Sequence, residues 1–521
     1  MHTTSLSQLA RLLADNGMLA EAHIAHDATV SSAHSDSRVV RANSLFVCKG
    51  VAFRTEYLHA ALDAGAVGYL CDESHAASLA EAAPDVPAIV ATDESFRQAT
   101  ALVAATAWGN PDLELPLLGI TGTKGKSTCA YMVRTIVDAH AGDGRCGVMG
   151  SIDMYDGIEN IESVNTTPEP CDLWRHIANA RDSKLATVAM EVSSHGLKYN
   201  RVDHLHLAAG AFLNLGRDHI SAAEHPDFED YVASKLRIFE HTSVAIVNLE
   251  TDRASQVLEA AQQCERVVTF AASGREQEAG TADIWASNII PEIGFVHFTA
   301  HTPDWEGRVT ISMPGLFNVD NALAAIALVS ELGIGEDAVR EGLSHVRVPG
   351  RMELIPTFDP RVIGLVDYAH NRLSYQRFFS SVAEEFPGKA VIALFGAPGC
   401  KAYERRVELP QEAAKWSDVL IYTEEDPAYD PVEEICAQMA EATPEGARYE
   451  VILNREEAIA RSVELAFEFE QGAVVCLLAK GDETRQHRGS EFVPVESDPV
   501  LFERYVAQRQ AAEQSAQPAQ Q

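Results

Sequence analysis

The segment Gly119-Ile120-Thr121-Gly122-Thr123-Lys124-Gly125-Lys126-Ser127-Thr128 decides the fold class of this chain. An apolar run leads into it and predicts a buried strand, and the apolar residues after it repeat at helical spacing: Met132, Val133, Ile136 and Val137. A glycine-rich turn between a strand and a helix lets backbone N–H groups converge on phosphate oxygens, with Lys126 reaching the phosphates and Ser127 offering a hydroxyl to Mg²⁺. The segment therefore predicts a phosphate site, although five residues rather than the usual four separate its first glycine from the glycine before Lys126.

Other short apolar runs alternate with helix-like segments along the chain. Their length and continuity predict strands buried on both faces, which is typical of parallel sheets with crossover helices in an α/β protein. These predicted strands cover residues 115–120, 186–192, 208–215, 244–249, 362–366, 391–395, 419–422 and 474–479. Polar clusters follow many of the runs, and open α/β sheets bind ligands beyond the carboxyl ends of their strands.

Two proline-containing stretches, Gly109-Asn110-Pro111 and Val348-Pro349-Gly350, read as joints between domains. They predict a smaller N-terminal α/β domain, a central P-loop-like domain with a parallel sheet, and a C-terminal Rossmann-like α/β domain. The predicted domains are residues 1–110, 111–347 and 348–510, and the polar residues 511–521 are expected to form a disordered tail.

The composition of the 521 residues limits the classes of function. Lys and Arg number 41 against 76 Asp and Glu, a net charge of −35, which argues against binding to nucleic acid or to an anionic membrane. The absence of a long apolar run or a secretory signal predicts a cytoplasmic protein without a transmembrane helix. The nine scattered cysteines form no CxxC pair, which favours buried free thiols over disulfides or a zinc site.

The phosphate loop, with its longer glycine spacing, resembles that of the Mur ligase family. These ATP-dependent enzymes build the peptide stem of bacterial cell-wall precursors. Further segments match in order from residue 35 to about residue 486, and they are most similar to the members that add the third residue of the stem. The resemblance implies a monomer that uses ATP, Mg²⁺, UDP-N-acetylmuramoyl-L-alanyl-D-glutamate and a free amino acid, and that forms an amide through an acyl phosphate.

The resemblance also implies which residues bind ATP. Lys124 stands where the family usually has Asn, and its positive charge suits a place beside phosphates. The implied ATP-binding residues are Gly122, Thr123, Lys124, Gly125, Lys126, Ser127, Thr128, Asn214, Asn248, Asn321, Arg351 and Asp367.

A metal and catalytic set follows from the same matches. Glu191 and His195 are metal-ligand types at the end of a predicted strand, where the family holds Mg²⁺, and His219 and the Ser127 hydroxyl join the same implied set. Lys235 matches the lysine that several members carry as a carbamate, which would make it an anionic oxygen ligand; otherwise it would be an ordinary exposed lysine on a helix. Catalytic roles are implied for Lys126, Glu191, His219 and Lys235.

The acyl substrate is implied to contact two regions of the chain. Ser37 and Arg38, in the segment Asp36-Ser37-Arg38, match the region that holds the UDP group. Arg201 matches the arginine on the D-Glu carboxylate, and the remaining dipeptide contacts are Asn165, Thr166, Thr167 and Ser193.

The amino acid that is added depends on the C-terminal domain. Members that use meso-diaminopimelate carry Asp-Asn-Pro-Arg, whereas this chain has Glu425-Asp426-Pro427-Ala428 and therefore lacks the arginine for a second carboxylate. Nearby acids suit a distal ammonium, which favours L-lysine over diaminopimelate, with L-ornithine as the next candidate. The candidate amino-acid-binding residues are Glu425, Asp426, Asp430 and Glu483.

Three alternatives remain open at this point. A folylpolyglutamate synthetase has the same architecture but no UDP-binding domain. A P-loop kinase or motor ATPase would hydrolyse ATP without an amino acid. An inactive ligase-like binding protein would have lost phosphate and metal residues, yet Lys126, Glu191, His219 and Lys235 are all present.

Overall fold

The computed structural model describes residues 3–50, 53–216, 220 and 224–516. The chain folds into two compact units, residues 1–287, 299–309 and 319–343, and residues 288–298, 310–318 and 344–521. In the described part of the chain, no helix combines the length and the apolar character that crossing a membrane requires.

The N-terminal part of the first unit is built around a five-stranded mixed sheet. The strands of this part of the chain are β1 Thr4–Ser5, β2 Leu19–His23, β3 Thr29–Val30, β4 Ser32–His34, β5 Ser44–Val47, β6 Ala66–Asp72 and β7 Ala88–Ala91, of which β1 and β3 form a separate two-stranded sheet. The helices are α1 Leu6–Asp15, α2 Thr55–Asp63, α3 Glu73–Ala82 and α4 Phe96–Trp108, with a 3₁₀ turn at Ser37–Val39. The sheet order is β2-β7-β6-β5-β4, antiparallel only between β2 and β7. Helix α1 buries Leu6, Leu9 and Leu13 because these residues share one face of the helix.

The central part of the chain contains a larger sheet with a parallel core. The strands of this part of the chain are β8 Leu117–Thr121, β9 Cys146–Met149, β10 Asp153–Tyr155, β11 Asn160–Glu162, β12 Thr187–Glu191, β13 Leu207–Phe212, β14 Thr242–Asn248, β15 Arg266–Ala271, β16 Glu276–Gln277, β17 Gly280–Thr281, β18 Ile284–Glu292, β19 Phe295–His301 and β20 Glu306–Ile311. Strands β16 and β17 form a separate two-stranded sheet. The helices are α5 Lys126–Ala141, α6 Pro170–Asp182, α7 Ser194–Lys198, α8 Phe228–Leu236, α9 Ala254–Ala261, α10 Asn318–Ser330 and α11 Glu336–Ser344, with 3₁₀ turns at Pro111–Leu113 and Arg237–His241.

The parallel core has the order β9-β12-β8-β13-β14-β15, so β8 lies between β12 and β13. In this register Glu191 of β12 pairs with Ile120 of β8, and Phe212 of β13 pairs with Thr121. The three strands therefore end at the same level. Their following loops meet at one edge of the sheet, because parallel strands share the direction of their carboxyl ends.

The second unit contains a doubly wound sheet of order β21-β22-β26-β23-β24-β25. Its strands are β21 Glu353–Pro356, β22 Val362–Asp367, β23 Ala390–Phe395, β24 Val419–Tyr422, β25 Tyr449–Val451, β26 Ala473–Leu478, β27 Arg485–Arg488 and β28 Glu491–Pro494, and its helices are α12 Arg372–Glu385, α13 Arg405–Ala413, α14 Val432–Glu441, α15 Arg455–Ala466 and α16 Asp498–Ala516. Strands β22 to β26 of this sheet pair in parallel, and β21 is antiparallel to β22. The predicted Rossmann-like α/β architecture is confirmed.

All eight predicted strands form, with no end shifted by more than three residues, and strand 419–422 has the predicted bounds. The expectation of a disordered tail from residue 511 is wrong for residues 511–516, which continue α16. Alanine and glutamine favour helix, Arg509 pairs with Glu513 one turn on, and no proline interrupts the segment before residue 518. All nine cysteines are free and seven are buried, which confirms the predicted buried thiols.

Candidate active site

The phosphate loop leaves the carboxyl end of β8 and begins α5. Gly125 lies in the left-handed region at φ +88° and precedes the first helical residue, Lys126. The ammonium Nζ of Lys126 donates to the carbonyl oxygen of Gly122 at 3.0 Å. Ser127 and Thr128 are buried in the first turn of α5. The loop thus presents backbone N–H groups, a cation and a hydroxyl at one helix N-terminus, the arrangement that binds phosphate.

Asn214, which follows β13, holds the phosphate loop in shape. Its Oδ1 accepts from the backbone N–H of Lys124 and its Nδ2 donates to the Lys124 carbonyl, both at 2.9 Å. The hydroxyl of Thr123 accepts from the N–H of Gly216 at 2.9 Å. These contacts join two loops about 90 residues apart in the chain, so Asn214 supports the loop through its backbone.

Lys235 is brought to the same loop by α8. It is 2% exposed, and its Nζ donates to the carbonyl oxygen of Gly122 at 2.8 Å. The alternative of an exposed helical lysine is therefore wrong, because α8 packs this face against the phosphate loop. Its Nζ also lies 4.7 Å from the centre of the Tyr231 ring, and the Tyr231 hydroxyl donates to Oγ1 of Thr123 at 3.1 Å. In the sequence, the one signal for a role of Tyr231 is its position four residues before Lys235, on the same face of the helix.

Glu191, the last residue of β12, contributes a buried carboxylate. Its Oε1 accepts from the backbone N–H of Ser151 at 2.8 Å, and its Oε2 lies 3.3 Å from the Ser151 hydroxyl. Carboxylate and hydroxyl oxygens are the donors that Mg²⁺ prefers, so Glu191 and Ser127 fit such an ion. His219, the other implied ligand, lies outside the described residues.

A second group of polar residues lies beside Glu191. Thr167 is fully buried, and its Oγ1 donates to the carbonyl of Glu191 at 2.9 Å and accepts from the N–H of Ser193, also at 2.9 Å. Ser193 caps α7 by accepting from the Gly196 N–H. Arg201 donates from Nη1 to the Thr167 carbonyl at 2.9 Å. Three of the predicted dipeptide residues, distant in sequence, therefore meet at this sheet edge.

The other residues expected to contact the acyl substrate are more exposed. Thr166 shares a hydroxyl–hydroxyl contact of 2.9 Å with Ser151, and Asn165 is exposed. In the N-terminal domain, Arg38 is 86% exposed and forms an ion pair with Asp36, which also caps the turn that contains Ser37. Arg38 is thus positioned at the surface by a carboxylate of its own motif.

Asn248 and Asn321 lie in the same unit as the phosphate loop. Asn248 donates from Nδ2 to the Leu213 carbonyl at 2.9 Å and lies 3.3 Å from Asp320 Oδ1. Asn321 is 3% exposed, and a Cβ built on Gly125 would lie 2.2 Å from its Oδ1. The Asn321 amide therefore packs directly on the phosphate loop, and the absence of a side chain at position 125 makes that approach possible.

Arg351 and Asp367 lie in the second unit. The Arg351 guanidinium packs over the Tyr368 ring at 4.5 Å, and Asp367 accepts from the backbone N–H groups of Met352 and Ala369, both at 2.8 Å. The Tyr368 hydroxyl donates to Glu483 at 2.6 Å, and burial holds the pKa of this tyrosine above its usual range. Asp367 therefore fixes the backbone next to Arg351, and Glu483 fixes the tyrosine ring on which Arg351 packs.

The acids that follow β24 are mostly paired with cations. Glu424 pairs with Arg488, Asp426 with Lys480, and Asp430 with Arg406; Lys480 also contacts Glu483 at 2.7 Å. Glu425 differs, because its Oε2 is buried without a hydrogen-bond partner. Burial raises the pKa of the Glu425 carboxyl to about 7, against the lowering effect of Arg405. The charge argument for an ammonium-binding pocket therefore depends on Glu425 rather than on the whole acidic cluster.

Another carboxylate–histidine group has the spacing of metal ligands. Among the residues that the structure describes, Asp156, Glu159 and His176 place one ligand atom each within 4.8 Å of the others. Arg175 bonds to Glu159, and Asp156 is already bonded to His176 and Asn179. The guanidinium supplies the positive charge, so this group is a closed hydrogen-bond network below α6.

Comparisons with known proteins agree with this geometry. The Mur ligase middle domain matches residues 120–329, and the Mur ligase, glutamate ligase domain matches residues 350–481. UDP-N-acetylmuramyl-tripeptide synthetase of Lactobacillus delbrueckii subsp. bulgaricus is 33% identical over 89% of this chain and 91% of its own length. UDP-N-acetylmuramoyl-L-alanyl-D-glutamate--L-lysine ligase of Enterococcus faecalis is 32% identical over 92% of each chain.

A solved structure shares the fold. The structure of a UDP-N-acetylmuramoyl-L-alanyl-D-glutamate--2,6-diaminopimelate ligase covers 92% of this chain and 95% of its own, with a TM-score of 0.62 and 23% identity. The match spans the architecture from the N-terminal sheet to the C-terminal sheet. The chain belongs to the Mur ligase family, the ATP-dependent amide ligases of peptidoglycan precursor synthesis.

Proposed function

We propose that the protein adds L-lysine to the D-glutamate of UDP-N-acetylmuramoyl-L-alanyl-D-glutamate at the expense of ATP. The observation that carries this proposal is the meeting of Lys126 and Lys235 on one carbonyl oxygen of the phosphate loop. Glu191 ends the neighbouring strand of that sheet. Lys235 is buried and Lys126 is partly buried, and two cations beside a helix N-terminus stabilise the charge of a transferring phosphoryl group.

The reaction proceeds in two steps. The γ-carboxylate of D-glutamate attacks the γ-phosphorus of ATP, the bond to the β–γ bridging oxygen breaks, and ADP leaves with an acyl phosphate formed. The α-amine of lysine then attacks the activated carbonyl, loses a proton and expels inorganic phosphate. Lys126 and the loop N–H groups hold the phosphates, and Arg201 orients the acyl substrate through its carboxylate.

Mg²⁺ would be held by Ser127 and Glu191, with His219 and a carbamate on Lys235 as further proposed ligands. When bound, the ion screens phosphate charge so that a carboxylate can approach. The metal role of Lys235 applies only if its amine is carbamylated; as the ammonium that donates to the Gly122 carbonyl, it supplies positive charge to the phosphates instead. The remaining assignments from the family resemblance, including Asn248 and Asp367 on the nucleoside and Arg351 on the phosphates, are proposals of the same kind.

The choice of lysine follows from the loop after β24. Ala428 provides no cation for a second carboxylate, and Glu425 has a buried oxygen without a partner. The L-lysine ligase of Enterococcus faecalis is one of the relatives. L-ornithine, one methylene shorter, is the second candidate, because it carries the same distal ammonium.

The experiment that tests the function offers lysine, ornithine and meso-diaminopimelate separately to the purified protein with ATP, Mg²⁺ and UDP-N-acetylmuramoyl-L-alanyl-D-glutamate. Product mass should identify the lysine adduct, and phosphate release should require both the sugar nucleotide and the amino acid. Phosphate release without either substrate would contradict the ligase mechanism. Preference for diaminopimelate would contradict only the argument from Ala428 and Glu425.

A further inference from the structure

Glu169 lies between two cations from different parts of the first unit. Its Oε2 is 2.6 Å from Nζ of Lys49, and its Oε1 is 2.8 Å from Nε of Arg201. All three side chains are partly buried, with exposed fractions of 35% for Glu169, 24% for Lys49 and 17% for Arg201. Ion pairs at this degree of burial are screened less by water than surface pairs.

The three residues come from three separate elements. Lys49 follows strand β5 of the N-terminal sheet, Glu169 directly precedes α6, and Arg201 follows α7. Lys49 and Glu169 are 120 residues apart in the chain. The bridge Lys49–Glu169–Arg201 therefore connects the N-terminal domain to the group formed by Thr167 and Ser193.

Arg201 is held from two sides. Its Nη1 donates to the Thr167 carbonyl, and the Glu169 carboxylate lies against its Nε edge. The Nε–H itself is buried and has no aligned acceptor, so the contact with Glu169 is electrostatic rather than a hydrogen bond. Glu169 therefore fixes the position of the guanidinium while leaving donor capacity for another acceptor.

The local charge is positive in a strongly acidic protein. Burial alone would raise the pKa of Glu169, but Lys49, Arg201 and Arg97 together hold it below its ordinary value. Arg97, on α4, also packs over the Tyr199 ring at 4.5 Å. Three cations thus surround one carboxylate, which leaves these four groups with a surplus of positive charge that a second carboxylate would reduce.

We infer that Glu169 is a positioning residue, which sets Arg201 for the substrate carboxylate and, through Lys49, links that site to the domain expected to hold the UDP group. The inference rests on the proposed function, because it takes D-glutamate as the source of the second carboxylate. The residue acts through Arg201 and Lys49 and does not touch the reacting atoms.

The test compares steady-state constants of the full-length wild type with those of E169Q, E169D and K49M. E169Q keeps the size of the side chain and removes its charge, and we expect KM for UDP-N-acetylmuramoyl-L-alanyl-D-glutamate to rise about tenfold, with kcat and the KM for ATP within about twofold. E169D retains the charge and should recover part of the loss. K49M should raise the same KM, and E169Q should add little to K49M because both break one bridge.

E114Q is the matched control, since Glu114 forms an exposed pair with Arg181 in the same unit, and its kinetic constants should equal those of the wild type. Thermal unfolding of each variant separates misfolding from mispositioning. An unchanged KM in E169Q would overturn the inference. A lower KM would also overturn it, because Glu169 would then compete with the substrate for Arg201. A wild type that forms no tripeptide would refute the proposed function instead.

Discussion

Gly125→Ala tests whether the phosphate loop depends on the close approach of Asn321. Gly125 has φ +88°, a conformation that costs an L-residue about 1–2 kcal/mol. Lower entropy of the unfolded chain returns part of this cost, which leaves a loss of about 1 kcal/mol and, for a unit of this size, a fall in melting temperature of about 1–2 °C. Stability alone should therefore change little.

The steric effect is expected to be much larger than the strain. The new Cβ would lie 2.2 Å from Oδ1 of Asn321, whereas ordinary contact begins at 3.4 Å. Asn321 or the loop must move by about 1 Å, and a displacement of that size at a reacting centre costs about 100-fold in rate. We therefore expect kcat/KM for ATP to fall about 100-fold in the coupled assay of phosphate release.

Gly333→Ala is the matched control for backbone strain. Gly333 has φ +73° and no atom within 4 Å of the added Cβ, so this variant should lose similar stability and keep full activity. In an N321A background, adding Gly125→Ala should cost far less, because the obstructing oxygen is gone. The reasoning fails if Gly125→Ala keeps kcat/KM for ATP within threefold of the wild type, or if Gly333→Ala loses as much activity.

Three further results are expected. K235A should lower kcat by at least about 100-fold, because Lys235 is one of two cations on the Gly122 carbonyl. Tripeptide formation measures the rate, and circular dichroism should show that the variant still folds. A kcat near that of the wild type would contradict the proposed role of Lys235. Burial raises the pKa of the Glu385 carboxyl from 4.5 to about 7, so the folded protein holds the protonated form more tightly than the unfolded chain does. The stability of the wild type relative to E385Q should therefore fall by up to about 3 kcal/mol as the pH rises from 4.5 to 7. A difference in melting temperature between wild type and E385Q that is the same at pH 5 and pH 8 would refute this. Under native conditions a thiol reagent should label Cys400 first, because this cysteine is exposed. The seven buried cysteines should react only after unfolding. Rapid labelling of several thiols in the folded protein would contradict this burial.

The phosphate loop and the strands of both sheets could be predicted because their signals are local. The run before Gly122 is apolar over its whole length, and the glycines and Lys126 follow it directly, so strand, turn and helix are contiguous in sequence. The buried strands of the C-terminal sheet were predicted on the same basis. The sequence does not predict the helical end of the chain, because a polar low-complexity segment suits a disordered tail and a long exposed helix, here α16, equally well.

The amino-acid sequence does not show which acidic residues after β24 form ion pairs in the folded protein. The acids between Glu424 and Asp430 suggested an anionic pocket, but in the folded chain Arg488, Lys480 and Arg406 neutralise three of them. Those cations lie 24 to 64 residues away in sequence. Only the folded loop shows that Glu425 retains an oxygen without a partner.

The sequence by itself determined which segments become buried strands and which residue types stand at their ends, because burial and turn formation depend on neighbours along the chain. Tertiary structure alone decided that Lys235 reaches the carbonyl of Gly122, 113 residues away, and that Lys49 reaches Glu169 across 120 residues. Such contacts depend on the order and register of strands and on helix packing. Many distant side chains determine these features together, and no local pattern encodes them.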